Sequence, residues 1–121
     1  MTDFSGRTIL VTGASGGIGG AVVRQLVAAG ADVIASSRSE ETLSAVAAET
    51  GARVLPFDLT SEDSIRAALQ GLDVYGVVNC GGYGGEIATP MDTDIAVFDK
   101  VMTINARGAT SLAGEAAIDR Q

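Results

Sequence analysis

The sequence predicts an α/β protein built on an open, doubly wound parallel sheet. Three observations carry this. Short apolar runs alternate with stretches of helical periodicity, in the order β-α-β-α-β-α-β-α. The runs are almost continuously apolar, as strands covered on both faces must be. The 16 glycines gather at the ends of these elements instead of recurring at a fixed period. Strands separated by helices pair in parallel through right-handed crossovers.

Each element has its own signal. Thr8–Thr12 reads as the first strand. From Gly17 to Ala29, the residues Ile18, Val22, Leu26 and Ala29 fall on one helical face, and Gly30 supplies a C-terminal stop. Asp32–Ser36 is the second strand. Ser39 is placed to cap the next helix, with Glu40 and Glu41 in its first turn, where the helix dipole favours them. Leu43, Val46, Ala47 and Thr50 form its inner face, and Gly51 ends it. Arg53–Phe57 is the third strand. Thr60-x-x-Asp63 resembles a capping box for a helix whose Ile65, Ala68, Leu69 and Leu72 face inward. Val74–Asn79 is the fourth strand, and after a glycine-rich loop another helix begins near Thr93.

Length and composition bound the function. The 121 residues suit one domain with one core, and 46% of them are apolar. The net charge of −7 argues against an extended nucleic-acid surface and against a polybasic membrane patch. There is no histidine, which excludes Ser-His-Asp and Cys-His catalysis and histidine metal sites. No metal centre is expected. The single cysteine, Cys80, has no partner for an internal disulfide, so a reducing, cytoplasmic setting is expected. The first seven residues lack the basic and apolar regions of a signal peptide. The longest uncharged stretch, Thr8 to Val23, is too short and too rich in glycine to span a membrane.

The stretch Thr12-Gly13-Ala14-Ser15-Gly16-Gly17-Ile18-Gly19 joins the first strand to the first helix. In a doubly wound sheet the ligand crevice lies at the carboxyl ends of the strands. The first helix there presents unsatisfied N–H groups and the positive end of its dipole, both suited to an anion. Glycines let a phosphate come close to that backbone. A P-loop would need a lysine followed by Ser or Thr, and no lysine precedes Lys100. The G-x-G-x-x-G fingerprint fails as well, because Gly17-x-Gly19 is followed by Val22. The spacing present is Thr-Gly-x-x-x-Gly-x-Gly. The plainer reading of the same loop is a turn that only packs a helix against a strand.

Residues Thr12 to Gly19 resemble the cofactor loop of the short-chain dehydrogenase/reductase family. Three further motifs follow in the family's order. Asp58-Leu59 matches its acidic, adenine-contacting site. Asn79-Cys80-Gly81-Gly82 stands where the family has Asn-Asn-Ala-Gly. Asn105, within Thr103-Ile104-Asn105-Ala106-Arg107-Gly108, matches its active-site helix asparagine. The resemblance covers essentially the whole chain and is nearest to NADP-dependent carbonyl and sugar reductases. It implies a Rossmann-like, dinucleotide-binding domain over residues 1–121. The cofactor contacts it implies are Gly13, Ser15, Gly16, Gly17, Ile18, Gly19, Asp58, Leu59, Asn79, Cys80 and Gly81, with Asn105 holding a water in a proton relay.

The end of the second strand selects between NAD and NADP. An acidic residue there would bind the ribose 2′-hydroxyl and repel a 2′-phosphate. This chain has Ala35-Ser36-Ser37-Arg38. A guanidinium clasps a phosphate through two parallel hydrogen bonds, and a hydroxyl can add another. Ser37 and Arg38 are therefore the expected phosphate ligands, and NADP is expected over NAD.

Several of these residues have structural alternatives. Asn105 lies on an apolar stripe with Phe98, Val101, Met102 and Leu112, where a buried amide could tie its helix to a strand. Asp58 could begin the cap region at Thr60, and Asn79 could pin the turn after the fourth strand. Cys80 departs from the family's second asparagine. With no His or Lys nearby in sequence, it reads as a packed thiol. Tyr75 and Tyr83 are neighbours of the site by position only and read as core and loop residues.

In the family, hydride transfer uses a Ser together with Tyr-x-x-x-Lys, a pattern that these 121 residues do not contain. The sequence therefore reads as the amino-terminal half of a reductase, truncated after strand four and its following helix, with spatial strand order 3-2-1-4. Strand four would then be an open apolar edge, to be covered by a missing carboxyl-terminal half, a second copy or another, complementing chain. Three functions stay open at this point: part of an oxidoreductase acting on a carbonyl or alcohol substrate, a non-catalytic NADP-binding half-domain, and an interaction subunit.

Overall fold

A computed structural model describes residues 4–38 and 40–81, together with Ala96, Asp99 and Met102, which are helical. The element order is β1 (Thr8–Thr12), α1 (Gly17–Ala28), β2 (Asp32–Ser36), α2 (Glu40–Thr50), β3 (Arg53–Val54), α3 (Glu62–Leu69) and β4 (Gly76–Asn79). The four strands are parallel in the order β3-β2-β1-β4, as expected. Among the described residues no strand pairs with the outer side of β4.

The apolar runs are continuous because the sheet has a core on each face. From β1, Ile9 and Val11 join Val33 and Ala35 of β2 in a core completed by Val23 of α1 and by Leu43 and Val46 of α2. Leu10 and Ile34 point the other way and meet Phe57, Val74 and Ile65 and Leu69 of α3. Consecutive strand residues thus feed opposite cores. Leu10, Leu43 and Ile65 are fully buried. Each contributes about 1.5–3 kcal/mol through the water it sheds.

The first helix packs by a face rotated from the one expected: Val22 and Leu26 meet the core as expected, but Ile18 does not. Gly19, Gly20 and Val23 are buried, with Val22, Leu26 and Val27 alongside, whereas Ile18 is 78% exposed. The cause is the loop before it. A Cβ on Gly19 would collide with the Gly13 carbonyl, so the helix docks through its glycines and turns Ile18 outward. At its other end Gly30 has φ +91°, its N–H donates to the Val27 carbonyl, and the Ala31 N–H donates to that of Leu26. This is a Schellman closure, which needs a residue tolerant of positive φ. The helix ends at Ala28, one residue before the expected limit.

Three other boundaries differ. The regular part of β3 is only Arg53–Val54, yet Leu55 N–H still donates to the Ala35 carbonyl and Phe57 N–H to that of Ser37, so the segment stays beside β2. Pro56 fills the intervening slot, where an edge strand needs no donor. β4 begins at Gly76 instead of Val74, although Tyr75 N–H already bonds the Thr8 carbonyl. The cap of α3 is Ser61, whose hydroxyl accepts from Ser64 N–H at 3.1 Å, in place of Thr60. Thr60 N–H is engaged by the Asp58 carboxylate at 2.9 Å, and this shifts the cap by one residue. Ser39, Tyr83, Asn105 and most of the helix expected from Thr93 lie outside the described residues. Among the described residues no helix is long and apolar enough to cross a membrane.

Candidate functional site

The carboxyl ends of the four strands bring together Thr12, Ser36, Phe57 and Asn79 with the segments that follow them. Between β1 and β4 the closure is tight. Thr12 Oγ1 donates to Asn79 Oδ1 at 2.5 Å, Gly81 N–H donates to Asn79 Oδ1 at 3.1 Å, and Cys80 N–H donates to the Thr12 carbonyl at 3.2 Å. Asn79 therefore pins the turn after β4, the structural alternative weighed above. Gly13, at φ +63°, is wedged against this turn. A Cβ there would sit 2.5 Å from the Cys80 carbonyl oxygen.

The glycines of the loop divide into two pairs. Gly13 and Gly19 are required by the protein's own backbone, because a Cβ on either would strike main-chain atoms. Gly16 and Gly17 are exposed. A Cβ on Gly16 would meet only ordinary contact at 3.5 Å, and one on Gly17 would meet nothing within 4 Å. The internal fold does not need these two glycines, and they leave the mouth of the loop open.

At that mouth the N-terminus of α1 has Gly16 as its cap, no side-chain capping hydrogen bond and no acidic residue in its first turn. Its positive end is left for an external anion. Ser15 and Ile18 are exposed beside it. The chain's own bonds hold the loop in place: Ala14 N–H donates to the Ser36 carbonyl and Gly16 N–H to that of Gly13, both at 3.1 Å.

The β2–β3 side carries the charges. Arg38 is exposed at the end of β2, and Ser37 is half-buried. Asp58 is held at three points. Its N–H donates to Ser64 Oγ at 3.0 Å, its carbonyl accepts from Ser61 N–H at 3.1 Å, and Oδ1 accepts from Thr60 N–H. Partial burial pushes its carboxyl up, but the Thr60 hydrogen bonds and the positive charge of Arg38 outweigh this and hold it below the ordinary range. Leu59 packs into the core with α3, and its Cδ1 lies where a Cβ on Gly81 would fall, 2.6 Å away. Cys80 is a half-buried free thiol packed beside the core with α1.

Thr12 and Ser64 hold the site and were not among the expected contacts. Thr12 stood first in the quoted motif, and only its contact across 67 residues to Asn79 reveals its part. Ser64 carried a local signal, since it lies three residues after its cap. Tyr75 lies at the opposite end of the sheet, 49% exposed under the Arg7 guanidinium, so it belongs neither to the core nor to this site. Among the described residues no group of three or more His, Cys, Asp or Glu could hold a metal ion.

A parallel sheet with an open, uncapped helix N-terminus at its crevice defines a Rossmann-like, nucleotide-binding class of protein. A model of the family described as short chain dehydrogenase matches residues 7–119, and the chain belongs to that family. It is 39% identical over 121 residues to a 3-oxoacyl-acyl-carrier-protein reductase of Rickettsia bellii, covering 96% of this chain and 49% of that protein. It is 32% identical to the L-fucose dehydrogenase of Mus musculus, covering 93% of this chain and 43% of that one. A solved short-chain type dehydrogenase/reductase from Mycobacterium ulcerans superposes with a TM-score of 0.89 at 30% identity, over 97% of this chain and 47% of that one. The chain spans about half the length of the relatives it matches. The family generally binds NAD or NADP. The residues present fit such a group: the mouth at Gly16 and Gly17 can take a pyrophosphate, and Arg38 stands free of hydrogen bonds among the described residues.

Proposed function

We propose that residues 1–121 form a single dinucleotide-binding unit that grips NADP, as the cofactor part of an oxidoreductase passing hydride between the nicotinamide and a small carbonyl or alcohol. The observation that carries this is the uncapped N-terminus of α1 behind two glycines that the fold itself does not require. The pyrophosphate would lie against Gly16, Gly17 and Ile18, with Ser15 at its side. Ser37 and Arg38 would take the ribose 2′-phosphate, and Asp58, Leu59, Asn79, Cys80 and Gly81 would line the adenosine side. When bound, the cofactor supplies the hydride chemistry. The residues named here bind and orient it, and Asn105 is assigned to the proton relay. The setting proposed is cytoplasmic, with a second copy or a complementing chain along β4.

The preference for NADP is supported by Arg38, since a cation beside the ribose discriminates a phosphate from a hydroxyl. Arg38→Asp is expected to weaken NADPH binding by about a hundredfold and NADH binding by less than about threefold, because a buried or clasped charge pair contributes several kcal/mol and a neutral hydroxyl does not. Fluorescence titration with both cofactors measures this. Equal losses would remove the phosphate role from Arg38.

A further inference from the structure

We propose that Asp58 is a positioning residue for Arg38, so that selectivity for a 2′-phosphate belongs to this pair and not to the arginine alone. The inference rests on the NADP reading above and deepens it. The backbone brings the two residues together. Phe57 N–H donates to the Ser37 carbonyl at 3.3 Å, and Asp58 and Arg38 each follow one partner of that bond. The carboxylate is the fixed member of the pair. Thr60 N–H holds Oδ1, Ser64 Oγ holds the Asp58 N–H, and Ser61 N–H holds its carbonyl. Thr60 bonds the carboxylate through its side chain as well.

Arg38 is the unanchored member, exposed and without a hydrogen bond among the described residues. A free arginine loses much rotamer freedom when it clasps a ligand. A guanidinium presents five donors in a planar fork, so one edge can face a carboxylate while another faces a phosphate. A fixed carboxylate therefore lowers the ordering cost of phosphate binding. It also adds negative charge near the phosphate. The start of α3 limits that effect, because Asp58 lies three residues before the cap and within reach of the helix's positive end. The mutual attraction is also seen in the Asp58 carboxyl, which Arg38 helps to hold in its ionised form.

The resemblance implied a different role for Asp58, contact with adenine, and fragments of the cofactor separate the two. The probes are 2′,5′-ADP, which carries the phosphate, and 5′-ADP, which does not, titrated by calorimetry into the full chain with any polypeptide that co-purifies. Asp58→Asn is expected to weaken 2′,5′-ADP about tenfold and 5′-ADP less than twofold, as coupled charged neighbours commonly show. Arg38→Gln is expected to abolish the preference, and adding Asp58→Asn to it should change neither affinity further. Retained 5′-ADP binding shows that each variant is folded. Should Asp58→Asn bind neither probe, Ser64→Ala loosens Asp58 without touching its charge, and a smaller loss confined to 2′,5′-ADP is expected. Equal partial losses on both probes in Asp58→Asn, or equal losses on both in Ser64→Ala, would assign Asp58 to adenine and overturn the proposal. A gain of 2′,5′-ADP affinity in Asp58→Asn would overturn it too, by showing that repulsion outweighs positioning. A parent chain that does not distinguish the probes would instead sink the NADP reading itself.

Discussion

The two ends of the sheet are made of the same four strands, and they treat their polar groups in opposite ways. At the amino ends the protein satisfies itself. Asp32, which opens β2, takes Arg53 of β3 in a two-point contact, Nε to Oδ1 at 3.2 Å and Nη2 to Oδ2 at 2.7 Å. The Thr8 hydroxyl lies 3.4 Å from the same carboxylate. Arg7 lies over the Tyr75 ring at 4.3 Å, beside a recess of about 230 Å³ lined also by Gly6, Thr8 and Asp73. At the carboxyl ends the N-terminus of α1 has no side-chain capping hydrogen bond, and Arg38 has no hydrogen bond among the described residues, only the attraction of Asp58. The contrast separates charges that close a fold from charges kept for something else. A protein gains nothing in stability from an open helix N-terminus.

The loop itself gives the sharpest way to break this division, because it contains both kinds of glycine. Gly19→Ala drives a Cβ into the Gly13 carbonyl, so α1 must move off the sheet. A loss of about 3 kcal/mol is expected, as for an overpacked core. Gly17→Ala points into open space. Its stability should stay level or rise by up to about 1 kcal/mol, since alanine loses less backbone entropy than glycine. Its NADPH affinity should fall about tenfold, the size of one impaired charge-assisted hydrogen bond. Urea unfolding and cofactor titration on the two variants test the pair. If Gly17→Ala binds as well as the parent, the open mouth of the loop is not where the pyrophosphate lies.

Asn79 lies on the boundary of the comparison, lining the crevice while serving the fold. Asn79→Ala removes the acceptor used by the buried Thr12 hydroxyl and by Gly81 N–H. Losing such a partner costs about 1–2 kcal/mol, softened here because Gly81 N–H also reaches Thr12 Oγ1 at 3.3 Å. Asn79→Asp keeps the acceptor and should unfold within about 0.5 kcal/mol of the parent, while its charge weakens NADPH binding. Thermal unfolding of both variants checks this. If Asn79→Asp is destabilised as much as Asn79→Ala, the amide N–H₂ group supplies the contact that matters.

The same contrast explains what could be read from the sequence. The alternation of strands and helices and the inner faces of α2 and α3 were legible, because continuous apolar runs and a 3.6-residue period encode them directly, whereas the strand order came with the family resemblance. The face of α1 was legible only in part: Val22 and Leu26 pack as expected, but Ile18 does not. Counting apolar side chains favours Ile18, and only the distance from Gly19 to the Gly13 carbonyl shows that glycines do the packing. The cap of α3 was misplaced by one residue, because Asp58 competes for Thr60 through a local turn that composition does not reveal. In the site, Gly13 and Arg38 could be named from motif and charge. Thr12 could not be singled out, since its partner lies 67 residues away and depends on the finished sheet, whereas Ser64 carried a local signal that was not used.

The smallest effect belongs to the amino end and tests the comparison from its quiet side. Arg53→Ala breaks the two-point contact with Asp32, but both side chains are about half exposed. Exposed pairs contribute about 0.2–1 kcal/mol, because water screens them and ordering two side chains offsets the attraction. The expected destabilisation is in that range at low salt. It should shrink as salt approaches about 1 M, where charges act over only about 3 Å. NADPH affinity should not change. β2 is nevertheless one rigid strand, with Asp32 at one end and Ser37 and Arg38 just past the other. A loss of cofactor affinity in Arg53→Ala, at unchanged stability, would mean that the strand transmits a shift along its length. The self-satisfied end would then help to set the site, and the division drawn between the two ends would fail.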